Sequence, residues 1–240
     1  MARDGVKLAI VTHAEHPELY GSLPDLLPKF MRHDPIVEAF RPRLYEVYPD
    51  FQLWAVDRDR RRTVAHGCTV PVGWDGEPES RGLDWALSSG ADRDPSALCA
   101  VVAGVVPEYR GTGVSEALLD RMATIAAGHG LETLIAPVRP TWKARYPLTP
   151  IERYVAWRRG DGLPYDPWLR THERLGAELL APAPCSLTIA GSRQEWEEWT
   201  ELTFPEGGDY VVPGALAPVH FAGGKGIYVE PAVWMAFHTG

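Results

Sequence analysis

Six consecutive residues, Arg110-Gly111-Thr112-Gly113-Val114-Ser115, carry the clearest chemistry in this chain. Two glycines in so short a loop let backbone N–H groups crowd together and point outward. Ala117, Leu118, Met122, Ile125 and Ala126 then recur at helical spacing, so a helix opens at Ser115-Glu116. The loop therefore lies at the positive end of a helix dipole, where oriented amides favour a phosphate or diphosphate. Upstream, Ala97 to Val106 is a β-branched run closed by Pro107, which reads as a buried strand. The unit is strand, glycine loop, helix.

Other loops of this kind do not fit. No Gly-Lys-Ser/Thr follows, as a P-loop requires, and Gly111-x-Gly113 lacks the third glycine of the dinucleotide fingerprint. Gly113-Val114-Ser115-Glu116-Ala117 comes near the Gly-x-Ser-x-Gly elbow of serine hydrolases, which would make Ser115 a nucleophile. That elbow turns straight off its strand, whereas Pro107 to Thr112 intervene here and Ala117 replaces the last glycine, so a hydrolase ranks well below the following match. Val105 to Leu119 resembles the acyl-donor motif of the GNAT superfamily of N-acyltransferases, an Arg/Gln-x-x-Gly-x-Gly/Ala pattern whose amides bind the pyrophosphate of coenzyme A. Arg110 and Gly113 match it, and Ser115 stands where glycine or alanine is usual.

The resemblance implies an α/β (α+β) fold with a mixed, mostly antiparallel central sheet flanked by helices. It implies an acyl group moved from a phosphopantetheine thioester, acyl-CoA or an acyl carrier protein, to a primary amine of a small-molecule acceptor by direct attack in a ternary complex. Backbone at Ala103 and Val105 would pair with the pantetheine amides, and the amides of Arg110, Gly111, Thr112, Gly113, Val114 and Ser115 would hold the phosphate. Thr171 to Ala177 resembles the family's Tyr-x-x-Leu-Gly-Phe signature and puts His172 at the position of a tyrosine that protonates the leaving sulfur. With a reference pKa of about 6.5, histidine can serve there as acid or base.

Tyr165 and Asp166 are the alternative proton carriers, although Asp166-Pro167 equally reads as a helix cap. Trp142, Arg145, Tyr146 and Trp168 would line the acceptor pocket, with core filling as the competing role of the aromatics. A GNAT-like module that binds a thioester or a partner without turnover stays open as a different class of function.

No Gly/Ser-rich linker divides the 240 residues, which reads as one domain over 1–240, with a core over 7–180 and an extension over 181–240. Strands at Leu187–Ala190 and Ile227–Val229 in that extension would close the sheet. Ahead of the motif, the chain reads as a strand at Lys7–Thr12, helical segments from Leu23 to Phe40, and strands at Gln52–Val56 and Thr63–Val72. An irregular stretch over Gly73–Pro95 follows. After the motif helix come a strand at Thr133–Val138 and an aromatic, basic insert over Arg139–Arg170, longer than the family's usual connection.

The net charge of −8 argues against nucleic acid, and Arg58 to Arg62 reads as a charged hairpin tip. The insert runs against the overall charge. Arg139, Lys143, Arg145, Arg153, Arg158, Arg159 and Arg170 outnumber Glu152, Asp161 and Asp166, which suggests either an acidic carrier protein as partner or a solvated surface. His13-Ala14-Glu15-His16 has the wrong spacing for two helical zinc ligands, so no metal is expected. Cys68, Cys99 and Cys185 form no Cys-x-x-Cys pair and read as reduced thiols. No segment has the length of a membrane span, and Met1 to Gly5 leads into a strand rather than a signal sequence, so a cytoplasmic protein is expected.

Overall fold

A computed structural model of the chain describes residues 7–24 and 26–238; Met1 to Gly5 lie outside the described residues. Its elements are β1 (Leu8–Thr12), α1 (Pro35–Glu46), β2 (Gln52–Asp57), β3 (Arg62–Val72), α2 (Gly82–Trp85), β4 (Ala97–Val105), α3 (Val114–Gly128) and β5 (Thr133–Val138). Then come α4 (Ile151–Val155), α5 (Pro167–Arg174), β6 (Glu178–Ser192), α6 (Arg193–Thr200), β7 (Gly208–Tyr210), β8 (Val219–Ala222) and β9 (Lys225–His238).

All nine strands form one sheet in the order β1-β2-β3-β4-β5-β9-β8-β7, with β6 also paired to β9. Every pairing is antiparallel except that of β4 with β5. That parallel pair is short. It holds only at Leu98↔Leu134 and Cys99↔Ile135, after which the two strands part. β4 is buried from Ala97 to Ala100 and partly exposed from Val101 to Val105, as expected of a strand whose far edge has lost its neighbour.

Side-chain alternation assigns the faces. A Cβ on Gly67 would lie 2.3 Å from Met122 Cε, so β3 turns this glycine toward α3 and only glycine leaves room for that approach. The next residue, Cys68, packs with Phe40 and Leu44 of α1 on the opposite face. Ile151, Tyr154 and Leu169, from α4 and α5, join the α3 side over Val233, Met235 and Phe237 of β9.

Several elements differ from the sequence reading. Of the helical stretch expected before Phe40, only α1 is α-helical; Asp34 caps it by accepting from Ile36 and Val37, and Pro35 fits its first turn. A tight turn of Lys29–His33 precedes it. The irregular stretch contains α2, held to β6 by the Ser186 hydroxyl accepting from the Leu83 amide at 3.0 Å. The residues expected to begin an extension at 181 lie inside β6, and β9 pairs with β5 from Thr133 to Val138, so this part of the chain supplies strands next to the motif half.

Candidate active site

The parting of β4 from β5 leaves backbone groups aimed at open space. The Val106 amide donates to the Val64 carbonyl on β3, and alternation then turns Gly104 toward β3 and Ala103 and Val105 toward the free edge. Thus the two residues expected to meet pantetheine are the two whose N–H and C=O point away from β3. In this structure Arg110 Nε donates to the Val105 carbonyl at 3.2 Å, tying the loop to that edge.

At the end of the edge stands the glycine loop. Gly111 and Gly113 have φ of 72° and 89°, the left-handed region that favours glycine, and Gly113 is the residue from which α3 starts. Among the described residues no group of the chain accepts from the amides of Gly111 through Glu116; the first amide bonded within the helix is Ala117, to Gly113. The loop is anchored from below. The buried Tyr109 donates through its hydroxyl to Asp57 and accepts from Arg60 at 2.9 Å, while the Arg62 guanidinium lies 5.1 Å from its ring centroid. The charged hairpin tip therefore sits against the glycine loop.

Ser115 is the second residue of α3, and its hydroxyl donates to Glu116 at 3.0 Å. No histidine bonds to it among the described residues, so the hydrolase elbow has no base.

The three expected proton carriers are placed unequally. Asp166 is buried and accepts five hydrogen bonds: the amides of Trp168 and Leu169 that begin α5, the amides of Thr141 and Trp142 after β5, and the Tyr154 hydroxyl at 2.8 Å. It ties three segments together and has no free lone pair to work as a proton carrier.

His172 is buried between Trp168 and Phe237, with ring centroids at 4.3 and 5.7 Å. Phe237 is the β9 partner of Leu134, itself the partner of Leu98, so His172 lies at the closed end of the β4–β5 pair and away from the free edge. Its Nδ1 meets the Trp168 carbonyl at 2.9 Å, and since a carbonyl only accepts, Nδ1 carries the proton. Burial pushes the ring pKa down to about 4, which leaves no protonated ring to act as an acid near neutral pH. A histidine that is neutral in the fold and binds a proton below about pH 6.5 when unfolded costs stability as the pH falls from 6.5 toward 4. Accordingly, His172→Phe should lose about 2 kcal/mol less stability than the wild type between pH 7 and pH 5 in urea titrations; parallel pH profiles would refute the neutral ring.

Tyr165 lies in the aromatic cluster of the insert. Its hydroxyl is 2.9 Å from that of Tyr146, beside the segment leaving β5. Trp142, Tyr146, Tyr154, Trp157 and Tyr165 pack edge to face, so the aromatics expected around the acceptor mainly fill a core next to α5. Arg145 stacks on Trp142 at 4.5 Å, and Trp168 covers His172.

A second constellation escaped the sequence reading. On the α1 face of the sheet, Trp54 of β2 and His66 of β3 are direct partners with rings 6.0 Å apart and nearly parallel, and Gly104 of β4 is the next partner in the row. A Cβ on Gly104 would come within 2.7 Å of Leu26 Cδ1 and 2.8 Å of His66 Nε2, so the imidazole and the Leu26 side chain together lie over the strand between Ala103 and Val105. Burial alone pushes His66 down to about 4, and it has no hydrogen bond among the described residues. On the other side Trp54 meets Tyr45 and His13, both at 6.4 Å, and His13 meets Tyr45 at 5.0 Å. The buried His13 Nδ1 and Trp54 Nε1 lack partners among the described residues. Histidines on separate elements gave no local signal; only the sheet register aligns them.

No family model matches the chain. Over 95% of its length it is 29% identical to the arginine N-acetyltransferase avaD of Aspergillus versicolor, matching 92% of that enzyme. Its structure is similar to the loading GNATL domain of CurA from Lyngbya majuscula, with a TM-score of 0.64 at 15% identity over 97% of each chain. It is also similar to the GphF GNAT-like decarboxylase in complex with isobutyryl-CoA, with a TM-score of 0.59 at 16% identity over 98% of this chain and 100% of the other. The chain has the fold of these GNAT-like proteins. The similarity in sequence is to an N-acetyltransferase, and the open β4 edge lies beside the amides of the glycine loop.

Within this fold most cations of the basic insert are engaged by the chain itself. Arg139 pairs with the buried Glu230, and Lys143 is buried and donates to the carbonyls of Tyr146 and Leu216. Arg158 pairs with Glu173, Arg159 with Asp161, and Arg170 donates to the carbonyls of Pro164 and Tyr165. Arg145 and Arg153 alone have no carboxylate or carbonyl partner among the described residues. The surplus counted along the sequence is therefore not a free basic surface. Among the described residues no three His, Cys, Asp or Glu side chains converge as a metal site, and no helix is long and apolar enough to cross a membrane.

Proposed function

We propose that this enzyme transfers an acyl group from acyl-CoA to a primary amine of a small, basic amino acid such as arginine, by direct attack with both substrates bound. The reading rests above all on one observation: the β4 edge at Ala103 and Val105, unpaired with β5 and met only by Arg110 at the Val105 carbonyl, is followed after one short turn by the unpaired amides of Gly111 to Glu116. A pantetheine arm extends a β-edge through its amides, and the loop then receives the phosphates. The similarity to an arginine N-acetyltransferase supports an arginine-like acceptor.

CoA is favoured over a carrier protein because the insert is internally paired, whereas Arg60 and Arg62 stand beside the phosphate loop. In the reaction the amine nitrogen bonds to the thioester carbon. His66, neutral and lying over Gly104, takes the proton from that nitrogen; the C–S bond then breaks, and the thiolate is protonated from the Tyr165–Tyr146 hydroxyl pair.

The donor seat is tested at Gly113. Its φ of 89° and the open space around it mean that a side chain meets no neighbour but must adopt a strained backbone. Gly113→Val should weaken acetyl-CoA binding at least about tenfold in calorimetry while the protein remains folded. Unchanged donor affinity in a folded variant would remove the loop assignment.

A further inference from the structure

Across the sheet from the donor edge, a cavity of about 580 Å³ opens between the turn after β1 and helix α1. That is within the range of about 300–1,000 Å³ usual for small-molecule sites. Its walls include His13, Tyr20, Glu38, Arg41, Tyr45 and Glu46. The α1 residues among them are spaced by three, four and one, which gathers two carboxylates, a guanidinium and a phenol along one side of a helix.

Their charges are uncommitted. The side chains of Glu38, Arg41 and Glu46 have no ion pair or hydrogen bond among the described residues, whereas Arg43, on another side of the same helix, is paired with Asp92 at 3.1 Å. Pro42, inside α1, offers no N–H to the Glu38 carbonyl and so leaves a further acceptor there. Tyr20 and Tyr45 stand edge to face at 4.6 Å, and Tyr20 is 52% exposed, giving a cation an aromatic surface to lie on. Beneath them the buried His13 Nδ1 awaits a partner. From this floor the row of His13, Tyr45, Trp54 and His66 leads to Gly104 and the donor edge.

We propose that this cavity is the acceptor site, and that it selects an amino acid with a second cationic group: Arg41 takes the carboxylate, Glu38 and Glu46 with the tyrosine faces take the distal guanidinium or ammonium, and the α-amine is directed toward His66. This rests on the acyltransferase reading above, and it moves the acceptor from the expected Trp142, Arg145, Tyr146 and Trp168 to the opposite face of the sheet. A carboxylate meeting guanidinium at one end and a cation meeting carboxylates at the other favour such an amino acid over simple alkylamines, because an acceptor lacking either end forgoes one set of charge-assisted hydrogen bonds.

The test is calorimetry on the whole chain with L-arginine, agmatine and acetyl-CoA as separate titrants, so that acceptor and donor sites are read independently of turnover. L-arginine should bind more tightly than agmatine, which lacks the carboxylate. Arg41→Gln should raise the Kd of L-arginine at least about tenfold and leave that of agmatine within about twofold. Glu38→Gln with Glu46→Gln should weaken both at least about tenfold. Acetyl-CoA affinity and thermal midpoint should be unchanged in every variant, since these side chains are at the surface and away from the loop. Wild-type L-arginine affinity in the folded Arg41 and Glu38/Glu46 variants overturns the proposal, as does failure of the wild type to bind L-arginine. If acetyl-CoA does not bind while L-arginine binding follows the pattern above, the donor reading fails and the site stands.

Discussion

His66→Ala should lower kcat by about 10²–10⁴-fold with the acetyl-CoA Kd within a few-fold of wild type. An amine cannot complete its attack on a thioester without losing a proton, and the proposed base is His66, whose Nε2 lies with Leu26 over Gly104 where a Cβ would not fit. Burial keeps the imidazole neutral, with a pKa of about 4, so its lone pair is available throughout the neutral range. The pH profile provides a second reading. Falling rates below pH 7 in the wild type should follow protonation of the acceptor amine rather than of His66, so acceptors of lower amine pKa should shift the acid limb downward. A His66→Ala enzyme with wild-type kcat would pass the proton directly to solvent and end the assignment. The donor loop is made of other residues, which is why the donor Kd separates this outcome from general damage.

The largest effect on stability should come from Asp166→Ala, a loss of about 3–5 kcal/mol and a fall in thermal midpoint of roughly 10 °C. One carboxylate accepts from the first turn of α5, from the chain leaving β5 and from Tyr154 of α4. Removal leaves five donors searching for acceptors in a place with little water, and each buried donor without a partner costs about 1–3 kcal/mol before relaxation. Asp166→Asn is an informative companion. Its amide presents N–H groups to donors on one side, so it should recover only part of the loss. If Asp166 acted as a proton carrier, by contrast, Asp166→Asn would fold with wild-type stability and lose turnover alone.

What could be read along the chain was what the chain builds from neighbours. The donor loop is six consecutive residues between a strand and a helix, and its function depends on local backbone conformation and on a helix dipole. Both are written in adjacent glycines and in helical spacing, and the structure puts Gly111 and Gly113 in the left-handed region. The cap at Asp166 was legible for the same reason, since Asp-Pro before a helical run specifies an N-terminus through short-range bonds. Several strands were legible in the same local way, and the family resemblance implied the mixed sheet, although neither could say that β9 would lie beside β5.

Charge and proximity over long separations were decided only by the tertiary structure. Seven cations in the insert looked like a basic surface because a sequence counts charges without their partners; Glu230 and Glu173, with carbonyls from Gly214 and Leu216, come from segments the local pattern does not reach. His172 fitted a family position by spacing, yet the register of β9 on β5 puts it at the closed end of the strand pair. The row from His13 through Trp54 and His66 to Gly104 takes one residue from each of four strands or their ends. No period along the chain links them, and only the hydrogen-bonded register of the sheet, with α1 laid across it, gives them a common face and a cavity at its end.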